Sequence, residues 1–134
     1  MIDYSKFKKA LEHLELQYDN YINIDNSLPL ITQEAIKESI VQRFEVCYDC
    51  MWKVLKKYLE QNLGLSDVPN SPKPILRIAN ENLLLSSNIE NWIKYANSRS
   101  STSHDYSGTK AQELLELSPS FIKDANSLYI KLST

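Results

Sequence analysis

Apolar residues recur along this chain at steps of three and four, and that spacing predicts helices. Tyr4, Phe7, Leu11, Leu14, Tyr18 and Tyr21 fall on one stripe of a first helix, because residues three and four apart share a face when a turn takes 3.6 residues. Asp3 stands just ahead as a candidate N-cap. After the loop-like run NIDNSLP, a much longer periodic segment begins at Thr32 and is predicted over 32–63. One of its stripes runs Ile36, Ile40, Phe44, Cys47, Met51, Val54 and Tyr58, and a neighbouring one carries Val41, Tyr48, Trp52, Leu55 and Leu59. So wide an apolar arc predicts a central helix covered on more than one side. The remaining face, Glu38, Gln42, Glu45, Asp49, Lys53, Lys56 and Glu60, reads as solvated, with Asp49 and Lys53 spaced for an ion pair along the helix. Gly64 is the expected stop.

The second half divides the same way. In SPKP, Ser71 suits a cap and Pro72 a first helical position, opening a short helix with Ile75, Leu76, Ala79 and Leu83 on its apolar side. Ser87 and Glu90 have the spacing of a capping box ahead of Ile89, Trp92, Ile93 and Ala96. Ser107 can start a last helix through Ala111, Leu114, Leu115, Phe121, Ile122, Ala125, Leu128 and Leu132. Pro119 is expected to kink or divide it, for lack of an amide donor. The fold class that follows is all-α, an antiparallel helical bundle of about five helices with two long ones, in a single domain over 1–134.

Composition removes several alternatives. The chain has 134 residues, 43% hydrophobic and 24% charged, which suits one globular core. Its glycines are Gly64 and Gly108 alone, so phosphate loops of the P-loop or dinucleotide kind have nothing to be built from. The net charge of −2 gives no broad basic field, and any nucleic-acid contact has to be local. Neither a membrane span nor a signal sequence is legible, and a cytoplasmic location is expected. Cys47 and Cys50 form a C-x-x-C, but two ligands without a second pair make a poor metal site. Both read as helix-packing residues, and neither metal nor cofactor is expected.

Candidate chemistry concentrates in RSSTSHDY, Arg99 to Tyr106, which holds one of the two histidines; the other, His13, is assigned to the exposed side of the first helix. On a regular helix residues five apart lie about 140° apart, so Arg99 and His104 converge only if the serine-rich run breaks the helix. They would then meet where two helix ends come together. An arginine fork, an imidazole and a helix N-terminus suit a phosphate. For RNA, His104 could exchange the proton of an attacking 2′-hydroxyl while Arg99 stabilises the crowded anion, without metal. The same residues also suit a polar loop in which Arg99 caps its own helix and His104 bonds locally. Trp52 and Trp92 read as core or dimer contacts, with base stacking as the lesser alternative. Lys6, Lys8 and Lys9 read as a solvated face, and Lys53, Lys56 and Lys57 as cations that could border an RNA path.

Arg99, His104 and Tyr106 match an Arg-x4-His-x-Tyr motif, and with it the chain resembles the HEPN subunits that accompany a minimal nucleotidyltransferase, also known as nucleotidyltransferase substrate-binding proteins. QRFEVCYDCMWKVLKKYL, Gln42 to Leu59, is similar to that family's long second helix, and SPKPILR, Ser71 to Arg77, to the start of its third. The resemblance spans nearly the whole chain in the same helix order. It implies a helical homodimer with Arg99 and His104 of both subunits lining a cleft that takes RNA or nucleotide. It further implies a metal-independent endoribonuclease toxin, and a nucleotidyltransferase antitoxin able to attach AMP to Tyr106. Two positions depart from the family pattern: Ser100 follows the arginine where Asn is common, and Asp49 stands where Glu is common, with a shorter reach toward Arg99. The competing expectations are a non-catalytic subunit that holds nucleotide or substrate for the transferase, and a purely structural helical dimer.

Overall fold

The long second helix organises the molecule because two of its adjoining faces are apolar and need cover. The computed structural model describes residues 1–102 and 108–134, with five helices and no strand among them: α1 (Ser5–Ile22), α2 (Leu30–Gln61), α3 (Pro72–Glu81), α4 (Ile89–Thr102) and α5 (Gly108–Ser133). α2 touches all four of the others. Its residues Ile40, Val41, Phe44, Cys47, Tyr48, Met51, Val54, Leu55 and Leu59 are buried, and these come from both predicted stripes.

Side-chain contacts give the helix directions. Lys6 of α1 lies near Cys50 of α2, and His13 near Arg43, so α1 and α2 run antiparallel. Tyr4 donates to the Leu132 carbonyl at 3.0 Å, while Asn126 bonds Glu15, so α1 and α5 are antiparallel as well. The middle of the core is aromatic. Phe121 of α5 meets Phe44 of α2 edge-on at 4.8 Å and Tyr95 of α4 at 5.2 Å, and Tyr95 in turn packs on Trp92 at 5.5 Å. Such pairs add about 0.5–1.5 kcal/mol each beyond the area they bury.

Helix ends differ from the sequence expectations in instructive ways. α2 starts at Leu30 rather than Thr32, because the Pro29 carbonyl already accepts the Thr32 and Gln33 amides at 3.0 and 3.1 Å. Its far end is closed as expected by Gly64, at φ +65°. Asp3 is not the cap of α1: it accepts the Ser5 amide at 2.9 Å, one residue ahead of the capping position held by Tyr4. Ser71 and Pro72 stand at the cap and first position of α3. That helix ends in a Schellman turn, with Leu84 N bonded to Ala79 O and Leu83 N to Asn80 O. The turn holds Leu83 at φ +60° and 82% exposed, so Leu84 enters the core in its place.

The predicted capping box at Ser87 and Glu90 does not form. Asn88 accepts the Glu90 amide at 3.1 Å, and Ser87 instead donates to buried Asp124 at 2.9 Å. Nor does Pro119 divide α5, which is continuous through it. Leu114, Leu115, Phe121, Ala125 and Leu128 are buried on both sides of the proline, and that packing outweighs the cost of about 3 kcal/mol for an interior proline. His13 is half-buried rather than exposed, with Nδ1 3.3 Å from Arg43 Nη1. Among the described residues no helix is long and apolar enough to cross a membrane.

Asp124 accepts from both Ser87 and Tyr95, joining the start of α4 to α5. Burial raises the Tyr95 phenol far above the ordinary 10.0, helped by its bond to Asp124 and that carboxylate's charge. On unfolding the phenol returns to its ordinary value, so above about pH 10 the unfolded chain releases a proton that the folded chain keeps. Stability from this group is therefore complete below about pH 10 and declines as the pH rises. In urea unfolding between about pH 8 and pH 11, Tyr95→Phe is expected to flatten the alkaline decline by up to one proton, about 1.4 kcal/mol per pH unit. A decline as steep as that of the parent chain would contradict this assignment.

Candidate functional site

Arg99 lies in the last turn of α4, where the helix presents its partly negative carbonyl end. From there its side chain reaches across to α2. Nη1 donates to Glu45 Oε2 at 2.7 Å and Nη2 to Asp49 Oδ2 at 3.2 Å, while Nε faces Asp49 Oδ1 at 3.4 Å. Glu45 and Asp49 are four residues apart on α2, so two carboxylates share one face and repel each other unless a cation sits between them. Arg99 is that cation. Its fork engages both acids from different directions, which fixes the plane of the guanidinium as well as its position.

The clamp is half-buried, with 27% of the Arg99 side chain exposed, 12% of Glu45 and 37% of Asp49. Two polar atoms beside it, Glu45 Oε1 and the Tyr48 hydroxyl, are buried without a hydrogen-bond partner among the described residues. Burial drives the Tyr48 phenol well above its ordinary range, reinforced by the Asp49 charge and opposed by Arg99. An unmade bond at a buried hydroxyl costs about 1–3 kcal/mol.

Two open cavities meet at Arg99 and Asp49. The first, about 490 Å³, continues along α2 past Glu45, Gln42 and Arg43. The second, about 410 Å³, lies under the start of α3 and is walled by Tyr48, Trp52, Lys73 and Ser100. The guanidinium is therefore part of the wall of both.

Of the residues singled out in the sequence, Arg99, Asp49 and Ser100 come together here. Asp49 pairs with Arg99 within the same chain, and not with Lys53, whose Nζ instead lies over the Trp52 ring at 5.8 Å. Ser100 donates to the Ala96 carbonyl at 3.2 Å. α4 extends through Thr102, so the serine run is helical up to that point. His104 and Tyr106 lie outside the described residues. Sequence reasoning missed Glu45, which it placed on the solvated face, although two like charges four residues apart already called for a cation nearby. Lys53, Lys56 and Lys57 read as cations that could line an RNA path if they border the cleft; Arg43 and Lys73 line the two cavities, and Lys56 faces Glu60 at 3.9 Å. Cys47 is buried and Cys50 half-buried, both free. No cluster of side chains able to hold a metal ion occurs among the described residues.

If the clamp is a true ion pair, removing its centre leaves two part-buried carboxylates facing each other. Arg99→Ala is expected to destabilise by about 1–2 kcal/mol, a figure already reduced for solvent screening. Adding Glu45→Gln to that variant should restore part of the loss, a coupling of about 1 kcal/mol in a double-mutant cycle by urea unfolding. Strict additivity would mean that the two groups do not interact.

The family model for nucleotidyltransferase substrate binding protein like chains matches residues 2–134. No curated protein matches the sequence. Among solved structures, HI0074 from Haemophilus influenzae, described as revealing the fold of a substrate binding domain of a nucleotidyltransferase, is 25% identical, with a TM-score of 0.88 over 98% of this chain and 100% of that one. A Thermus thermophilus protein, 24% identical, shares the fold at a TM-score of 0.78 over 96% of this chain and 99% of that one. Through a match that spans all but the first residue, this chain belongs to the nucleotidyltransferase substrate binding protein like family.

Proposed function

We propose that this chain is the HEPN-type subunit of a two-component nucleotidyltransferase system, and that Arg99 and His104 make it a metal-independent endoribonuclease toxin neutralised by its nucleotidyltransferase partner. The observation that carries this reading is the clamped guanidinium. Arg99 is held by Glu45 and Asp49 on the wall of two open cavities, five residues ahead of His104 in an Arg-x4-His-x-Tyr motif. Fixing that cation before substrate arrives removes the cost of ordering it during reaction. In the reaction, a ribose 2′-oxygen attacks the adjacent phosphorus and gives its proton to His104. The bond to the 5′-oxygen breaks, that oxygen takes up a proton from solvent to leave as a hydroxyl, and Arg99 balances the charge gathered on the phosphoryl oxygens. Two protomers would contribute their motifs to one cleft. AMP attached to Tyr106 by the partner would add charge and bulk two residues from His104 and block the substrate phosphate.

A second reading has its own support. The cavity under α3 combines the half-buried Trp52 ring with the Lys73 cation beside Arg99, a set that suits a base and a phosphate of one nucleotide. HI0074 is described as a substrate binding domain. On this view the chain holds nucleotide or substrate for the transferase, and Arg99 and His104 only hold phosphate, without chemistry.

Incubation of purified protein with total RNA in EDTA separates the two. Cleavage by the parent chain, reduced at least about 100-fold in both Arg99→Ala and His104→Ala, is the expected result. Intact RNA in all three samples, with nucleotide binding retained by the parent alone, would favour the holding role. For Tyr106, incubation with the neighbouring nucleotidyltransferase and ATP is expected to add the mass of one AMP to the parent chain and none to Tyr106→Phe. Equal labelling of both would place the modification elsewhere.

A further inference from the structure

We propose that the groove between α1 and α2 is a binding track for the phosphates of single-stranded RNA, continuous with the Arg99 cavity. It builds on the RNA reading above and adds a path along which the strand approaches. Lys6, Lys9 and His13 stand at i, i+3 and i+7 on one face of α1, and Arg43 and Cys50 of α2 complete a groove of about 370 Å³. The sequence suggested a solvated lysine face here. The tertiary structure adds an arginine and an imidazole from the other side.

Three features point to an anion. No carboxylate lines the groove, although acidic residues outnumber basic ones 17 to 15 in the chain. Lys6, Lys9 and Arg43 have no carboxylate within 4.0 Å among the described residues, so no direct ion pair offsets their mutual repulsion. Arg43 Nη1 lies 3.3 Å from His13 Nδ1. A guanidinium only donates, so Nδ1 accepts, and the ring proton of a neutral His13 is on Nε2, where it is one more donor.

The layout favours a strand over a single phosphate. Lys6 to His13 covers about 10 Å of helix axis, with the cations strung along an open groove instead of converging on a point. Arg43 and Val46 line both this groove and the Arg99 cavity, and Val46, 53% exposed, offers an apolar step between them on which a base can rest. The acids that orient Arg99 also weaken its field, so cations elsewhere have to supply much of the attraction for a polyanion.

The test uses the full chain in EDTA with a labelled single-stranded RNA of about 12 nucleotides. Each phosphate contact contributes about 0.7 to the slope of log affinity against log salt for single strands, so Lys6→Gln/Lys9→Gln is expected to lower that slope by about 1.4. RNA should also slow alkylation of Cys50 in the groove several-fold in the parent chain, and equally in Arg99→Ala. That second variant separates the two ideas: protection without cleavage by any form of the chain would leave the track standing while the nuclease reading falls. An unchanged slope in the lysine variant, with its thermal melting also unchanged, overturns the proposal. So does protection by inorganic tripolyphosphate at the same concentration as the RNA, which would indicate a site for small anions.

Discussion

α2 has to bury two adjoining apolar faces from Ile40 to Leu59, and this one demand arranges everything else. α1, α3, α4 and α5 all touch it, and each covers part of that arc. What remains uncovered along that stretch includes a polar strip. Glu45 and Asp49 sit on that strip where α4 ends, so the site is placed by the same packing that forms the core. The aromatic contacts of Phe121 with Phe44 and Tyr95 set α5 and α4 against α2, and thereby the distance that the Arg99 side chain has to cross.

At that crossing, electrostatics and packing reinforce each other. Two carboxylates on one helix face destabilise α2 by themselves, and the carbonyl end of α4 favours a cation. Arg99 answers both needs. The family pattern suggested that Asp49, one methylene shorter than Glu, would reach the arginine less well. Its contacts at 3.2 and 3.4 Å are indeed longer than the 2.7 Å contact of Glu45, and Glu45 one turn earlier supplies the tighter hold. A guanidinium fixed on two sides loses little freedom when it meets an anion, at the cost of a weaker field.

Cations that carry no carboxylate partner among the described residues lie elsewhere. Arg43 faces one cavity beside Arg99 and Lys73 the other, while Lys6 and Lys9 face the groove of α1. This division between an oriented arginine and unbalanced cations at a distance is consistent with a surface that attracts a polyanion broadly and positions it at one point. A chain of net charge −2 thus still gathers Lys6, Lys9 and Arg43 along one groove.

Much was legible in the sequence because helices write their packing into a period of three and four. The five elements, the central place of α2, the stop at Gly64 and the start of α3 at Pro72 all follow from local spacing and from backbone preferences of glycine and proline. Arg99 was legible as a candidate from motif spacing, and Asp49 as its possible partner. Only the tertiary structure decided which charges meet. Glu45 turned from a solvated position into the closest partner of Arg99 among the described residues, Asp49 chose Arg99 over Lys53, Ser87 left its cap for Asp124, and His13 turned toward Arg43. The physical reason is the same in each case: periodicity says which face of a helix is apolar, whereas the partner of a polar side chain depends on which other helix is laid against that face, and at what height.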